Sequence, residues 1–322
     1  MFGDHAQTNA AEVIERERKL DVRQHLRQFM SATRLDAKQI ARMIGGFEGL
    51  IEKWLQGNAV DHDLERQVEA LLGIDSDWWP MPFDNLQSVF DLCRYAERRR
   101  RVGAVSGRSG YGKTMALKMY ARSHGALYYC YDEASGAREI MKGLCRRAGS
   151  TDSQRSTIGE MRGRLAQLLR DNRRLLIIDQ ADTLPFKALE AIRSVYDEAE
   201  CPLVFAGLEG RLLNRLMRRN ERENAEQIFS RISAHITLKP PSIDDVAAIC
   251  ARFRITGARA QTYIYQRAAV GGYRYVRTLC EDAADVAAEN GIKGVTLECV
   301  QKAATYLITT VNPADEALPQ GE

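Results

Sequence analysis

A chain of 322 residues with 45% hydrophobic side chains can form about two domains with real cores, which excludes an intrinsically disordered protein. The formal net charge is +3 with 28% charged residues, so the chain is no global polycation and any nucleic-acid contact must come from local basic clusters. The seven cysteines (Cys93, Cys130, Cys145, Cys201, Cys250, Cys280, Cys299) contain no C-x-x-C pair, and no stretch is apolar enough to span a bilayer or resembles a secretory leader. Those features point away from zinc knuckles, disulfide frameworks and membranes, toward buried thiols in a reducing cytoplasm.

Residues 1–19 read as a frayed arm or exposed helix, and Leu20–Met30 as a first helix with Leu26 and Phe29 on its apolar side. Ile40, Ala41 and Ile44 repeat at helical spacing, Gly45-Gly46 interrupts, and Leu50, Ile51, Trp54 and Leu55 restore the period. Helix, glycine turn, second amphipathic helix is a helix-turn-helix layout. It resembles the DNA-binding domains of the lambda-repressor type, which implies a second helix entering the major groove near Phe47, Glu48 and Lys53. Glu48 and Glu52 suit a phosphate-rich groove poorly, so a helical bundle that docks a protein partner stays open. A further helix, Asp63–Leu72, closes this unit. Gly73–Phe83, with two prolines and no periodicity, reads as a linker, pinned by Trp78 and Trp79.

The next segment carries the chemistry. Leu86–Arg98 reads as a helix, ending in the arginine run Arg98–Arg101, and Arg101–Ser106 as a buried strand. Then come Gly107, Arg108, Ser109, Gly110, Tyr111, Gly112, Lys113 and Thr114, which fit the phosphate-binding pattern G-x-x-x-x-G-K-[ST] between a strand and a helix (Thr114–Arg122, including Met115). The glycines let backbone N–H groups turn inward on a phosphate, and the helix start adds partial positive charge. Lys113 should reach the terminal phosphates of ATP and the Thr114 hydroxyl should ligate Mg²⁺. Ala126–Tyr131 reads as a second strand, and Ile140–Arg147 and Ile158–Arg170 as helices. The aliphatic run Leu175–Ile178, ending in Asp179, reads as a buried parallel strand whose tip brings Asp179 to the metal. Pro202–Ala206 and Ala234–Leu238 read as fourth and fifth strands, and Ser242–Thr310 as helical. The expected fold class is therefore α/β: a parallel P-loop sheet with crossover helices and a helical lid, preceded by an all-α helix-turn-helix domain.

The P-loop, the strand Ile177-Ile178-Asp179-Gln180-Ala181-Asp182, the string Phe229-Ser230-Arg231-Ile232 before the fifth strand and the helical lid together resemble AAA+ ATPases. With a repressor-like unit in front, the order resembles the transposition activators of the phage Mu B type, over residues 20–305. That resemblance implies domains at 1–72 (helix-turn-helix), 84–240 (ATPase core) and 241–311 (lid), with a linker at 73–83 and a disordered tail at 312–322. It implies that Arg231 is an arginine finger for a neighbouring subunit, and that Arg274, in Gly271-Gly272-Tyr273-Arg274-Tyr275-Val276-Arg277, contacts the γ-phosphate, with Arg277 second. It also implies an ATP-dependent homo-oligomer or filament on double-stranded DNA, largely indifferent to sequence, which recruits a transposase.

Two departures from the family bear on catalysis. Gln180 stands where a glutamate usually polarises the attacking water, and an amide can orient water but take no proton. Slow hydrolysis, or Asp182 standing in, or a non-hydrolysing switch are the readings left open. Leu208 and Glu209 follow the fourth strand, where a polar sensor residue is usual. For DNA, Arg211, Arg215, Arg218 and Arg222 are spaced to share one stripe of a helix. Arg146, Arg147 and Arg155 lie in the region that faces DNA in the Mu-type relatives, and Lys53 is a candidate in the N-terminal unit. A signalling or secretion ATPase with a protein-binding N-terminal unit is the alternative.

Overall fold

The computed structural model describes residues 22–307 except 25, 28, 32–34, 45–47, 59–63, 66, 69–70, 72–82, 151–155, 218, 221–222, 225–229 and 293. The expectations for the arm, the Gly45-Gly46 turn, Phe47, Trp78 and Trp79, Arg155, Arg218, Arg222, Phe229 and the tail lie outside these residues.

In the N-terminal region, α1 (Ala37–Ile44) and α2 (Glu48–Leu55) pack as a pair around Ile40, Ala41, Ile51 and Trp54, all buried. Asp36 and Gln39 close the start of α1 reciprocally: the Gln39 N–H donates to Asp36 Oδ1 (2.7 Å) and the Asp36 N–H to Gln39 Oε1 (2.9 Å). Arg23 lays its guanidinium over Trp54, 5.4 Å from the ring centre. These helices share their packing with the sheet-bearing part of the chain. α1 rests on the helix after the P-loop, and Val22, Leu26, Ile40 and Trp54 belong to one apolar core with Leu86, Phe90, Leu117 and Tyr120.

Beyond α3 (Phe83–Arg99), which begins at the residue expected to end the linker, the chain enters the sheet. β1 (Val102–Gly107), β2 (Leu127–Cys130), β3 (Leu176–Asp179), β4 (Leu203–Leu208) and β5 (Ile232–Thr237) are all parallel, in the order β2-β3-β4-β1-β5. β1, β3 and β4 are covered on both faces, so their residues are almost all apolar or small. β5 is an edge strand, and its side chains alternate between half-buried and exposed. The crossover helices are α4 (Lys113–His124), α5 (Ala137–Arg147), α6 (Ile158–Asn172) and α7 (Phe186–Ala199). α6 starts on a capping box of Thr157 and Glu160, and α4 ends on Gly125 at φ 70°. Because every strand runs the same way, Gly107, Asp179 and Leu208 gather at one pole of the sheet.

The lid comprises α9 (Ile243–Arg252), α10 (Ala258–Glu289) and α11 (Leu297–Tyr306), built round its own core of Val246, Ile249, Ile264, Val276 and Leu279; α8 is the short helix Arg211–Met217 after β4. α10 bends at Gly272, whose φ of 66° and ψ of −168° are not helical. None of the described helices is long and apolar enough to cross a membrane.

Candidate nucleotide-binding site

A cleft of about 660 Å³ opens at the pole where β1, β3 and β4 end, with the lid as its far wall. Ser109, Gly110, Gly112, Lys113, Thr114 and Met115 line one side, Asp179, Gln180 and Asp182 the floor, and Tyr273, Arg274 and Arg277 the lid side. The glycine loop has the shape that a phosphate needs. Gly110 (φ 81°) and Gly112 (φ 90°) are left-handed, a conformation that Cβ disfavours. Gly112 caps α4 with no side-chain hydrogen bond, so the first N–H groups of α4 face the cleft with no side chain capping them. The Lys113 ammonium donates to the carbonyls of Gly107 (2.6 Å) and Arg108 (2.8 Å). Its burial lowers its pKa, while the carboxylates of Asp179 and Asp182 oppose that shift and nearby Arg274 reinforces it.

Asp179 is buried at the tip of β3, and each of its oxygens accepts one hydrogen bond. Its Oδ2 accepts the Tyr128 hydroxyl (2.8 Å) and its Oδ1 the N–H of Gln180 (2.9 Å). Burial, then the adjacent Asp179 charge, pushes the Tyr128 phenol far above its usual range, so it stays a donor. This buried carboxylate and the half-buried Thr114 hydroxyl across the cleft suit a hard divalent cation shared with phosphates. Among the described residues no group of three or more His, Cys, Asp or Glu side chains could hold a metal without such a ligand. Gln180 lines the same cleft but is exposed, in a left-handed conformation (φ 58°) that turns the chain into a short 3₁₀ segment, Ala181–Thr183.

The lid grips the glycine loop directly. The Tyr273 N–H donates to the Gly110 carbonyl (3.0 Å) and the Tyr111 hydroxyl to the Ala269 carbonyl (2.7 Å). Tyr273 is itself held by Asp245, whose Oδ2 accepts its hydroxyl at 3.0 Å. Arg274 therefore lies at the cleft beside Lys113, and Arg277, on the same wall, is paired with Glu281 (2.8 Å).

Residues 96–217 match a protein-family model described as an AAA domain. Over 257 residues the chain is 26% identical to the ATP-dependent target DNA activator B of Escherichia phage Mu, covering 76% of this chain and 82% of that one. Over 195 residues it is 28% identical to the Mu-like prophage FluMu DNA transposition protein B of Haemophilus influenzae, covering 56% and 67%. Residues 96–217 thus carry an AAA domain, the fold is that of an AAA+ P-loop ATPase, and the chain is similar in sequence to proteins of the Mu B type. A solved structure of the Aeropyrum pernix ORC2 protein in its ADP form shares the fold, with a TM-score of 0.53 at 17% identity and 67% of each chain covered. An AAA+ fold with this loop is a nucleotide-binding fold.

The other candidate residues fall in different places. Arg231 immediately precedes β5, whose first residue Ile232 is level with Val102, at the pole opposite the cleft, and it forms a two-pronged ion pair with Asp197 (2.6 and 3.0 Å). It does not enter its own chain's cleft. Arg146 and Arg147 are exposed at the end of α5, with Arg147 over the Tyr129 ring at 4.9 Å, and Lys53 is exposed on α2. The arginine stripe is corrected. α8 ends at Met217, and residues 219–220 and 223–224 form a small antiparallel ribbon instead. Arg211 turns into the nucleotide cleft, and Arg215 donates through Nε (3.0 Å) and Nη2 (2.7 Å) to the Leu184 carbonyl. The spacing suits a longer helix; the short helix and its packing on the 3₁₀ segment redirect both side chains. Lys118, Glu133 and Ile249 also line the cleft, outside every motif. Lys118 lies one turn after Thr114 on α4, a spacing that could have flagged it; Glu133 and Ile249 reach the cleft only through folding.

Proposed function

We propose that this protein is an ATP-dependent DNA-binding regulator of transposition, which assembles on target duplex and engages a transposase. The observation that carries the reading is the uncapped start of α4 behind two left-handed glycines, facing a buried aspartate, in a chain similar over three-quarters of its length to a target DNA activator. In this reading the N–H groups of residues 110–115 and the Lys113 ammonium hold the phosphates, and Arg274 reaches the terminal one from the lid. Thr114 and Asp179 would hold Mg²⁺, which when bound would screen the phosphate charge. Ile249 and Tyr273 offer a largely apolar wall for the base.

ATP binding favours contact between subunits, and Arg231 leaves Asp197 to meet the γ-phosphate of a neighbour. An arginine supplied in trans offsets charge that builds during hydrolysis, so turnover depends on assembly and then resets it. Arg146 and Arg147, repeated along such an assembly, track a phosphate backbone without reading bases. The exposed side of α2 carries Glu48, Leu50 and Glu52 beside Lys53, which favours a protein partner over a DNA groove for the N-terminal helices. Electron microscopy of the protein with ATP and non-specific duplex tests the proposal: arrays on DNA are expected with ATP, and isolated monomers at saturating ATP refute it. Calorimetry with ATP and Mg²⁺ tests the foundation, and an absence of binding heat removes it.

A further inference from the structure

Position 180 offers no proton acceptor, yet the cleft holds a second carboxylate whose setting is built to a tight tolerance. Asp182 sits in the 3₁₀ segment and lines the cleft floor. Its Oδ1 accepts the N–H of Leu208 at 3.2 Å, at the tip of β4. A Cβ placed on Gly207 would stand 2.4 Å from that oxygen and 3.0 Å from Asp182 Cγ, so only glycine admits the carboxylate there. β4 lies between β3 and β1, so Asp182 is set between the tip that carries Asp179 and the start of the glycine loop. Leu208 occupies the position where a polar sensor residue is usual, and its backbone N–H holds the carboxylate instead.

We infer that Asp182 is the group that orients the attacking water and takes its proton, in place of the missing glutamate; this rests on the ATP reading above. The water oxygen forms a bond to the γ-phosphorus, and the bond from that phosphorus to the β–γ bridging oxygen breaks. ADP leaves with the bonding electron pair, and the water proton passes to Asp182 Oδ2. Gln180, exposed at the cleft, contributes at most a hydrogen bond to the same water. Asp182 thereby takes the role that the family pattern gives to the residue after Asp179.

The test compares the full-length protein with Asp182→Asn, Gly207→Ala, and Asp182→Asn combined with Gln180→Glu. Phosphate release is measured at saturating ATP and duplex, and ATP affinity by fluorescent-nucleotide titration. Asn keeps the acceptor for Leu208 and loses the proton acceptor. The expected result is a kcat lowered about 10²- to 10³-fold with affinity within about twofold of wild type. Gly207→Ala should lower kcat similarly with Asp182 intact, and adding Gln180→Glu to Asp182→Asn should restore part of the loss. Wild-type kcat in Asp182→Asn overturns the inference, as does a parallel loss of nucleotide affinity, which would mark a structural role. Tight ATP binding without turnover in the unaltered protein also overturns it while leaving the nucleotide site in place; no ATP binding at all sinks the parent reading instead.

Discussion

Replacing Gly272 by alanine tests whether the lid is locked to the phosphate loop. Two costs meet at this residue. Its φ of 66° and ψ of −168° lie in a region that is essentially glycine's alone, at about 1–3 kcal/mol for another residue. Its Cβ would also stand 2.9 Å from the Gly110 carbonyl carbon and oxygen and 3.0 Å from Tyr111 Cδ1. Those carbonyl atoms are backbone, so no rotamer change relieves them. If α10 straightens and the lid swings away, the strain is released but the Tyr273–Gly110 and Tyr111–Ala269 hydrogen bonds are lost, at about 1 kcal/mol each. Both routes lead to a loss of about 2–3 kcal/mol, or a fall in Tm of roughly 3–5 °C for a chain of this length. ATP affinity should drop about tenfold or more, because Arg274 leaves the cleft with the lid. Gly125→Ala is the control: φ is 70° there, but nothing lies within 4 Å of the new Cβ, so it carries the conformational penalty alone. Calorimetry and nucleotide titration of both variants decide the matter. If Gly272→Ala loses no more stability than Gly125→Ala and binds ATP normally, the seam between lid and loop does not govern the lid.

Tyr128→Phe removes the hydroxyl that Asp179 Oδ2 accepts, and the Mg²⁺ concentration needed for half-maximal ATP binding should rise several-fold, read by magnesium titration at fixed nucleotide. Arg231→Ala breaks a part-exposed ion pair worth about 1 kcal/mol or less, so folding and ATP binding by the single chain should be unchanged, whereas turnover on duplex should fall roughly 10³-fold; equal turnover would exclude a finger role. His124, stacked on Tyr120 with ring centres 4.1 Å apart, has its pKa lowered by burial. The unfolded chain takes up this proton near the ordinary value and the folded chain only at lower pH, so this contribution is complete above about pH 6.5 and declines as pH falls below it. Glu97, raised by burial, acts with the opposite sign. Urea midpoints of wild type and His124→Phe at pH 7 and pH 5 isolate the histidine, with a smaller decline expected in the variant.

The core of the site is legible in the sequence because its signals are local. A strand of small and apolar residues, glycines at fixed offsets and a lysine opening a helix specify the phosphate loop within the stretch Gly107–Thr114. Leu175–Ile178 ending in Asp179 marks the strand tip by the same logic, since an acid after a buried aliphatic run has few places to go. The helix Phe186–Ala199 carries no motif and is supplied by the structure, and the arginine periodicity of residues 211–222 misleads, because helix length is set by packing as well as by spacing.

The sequence by itself determined the alternation of strands and helices, the nucleotide loop and the absence of an acid at position 180. Tertiary structure alone decided that Asp182 sits on Gly207, that Gly272 meets Gly110, that Arg211 turns to the cleft and that the N-terminal helices share a core with α4. The physical reason is range. Backbone conformation and hydrophobic period are written in neighbouring residues, whereas contacts such as Asp182 with Gly207, or Gly110 with Gly272, join segments far apart in the chain and are fixed only when the parallel sheet brings its strand tips to one pole.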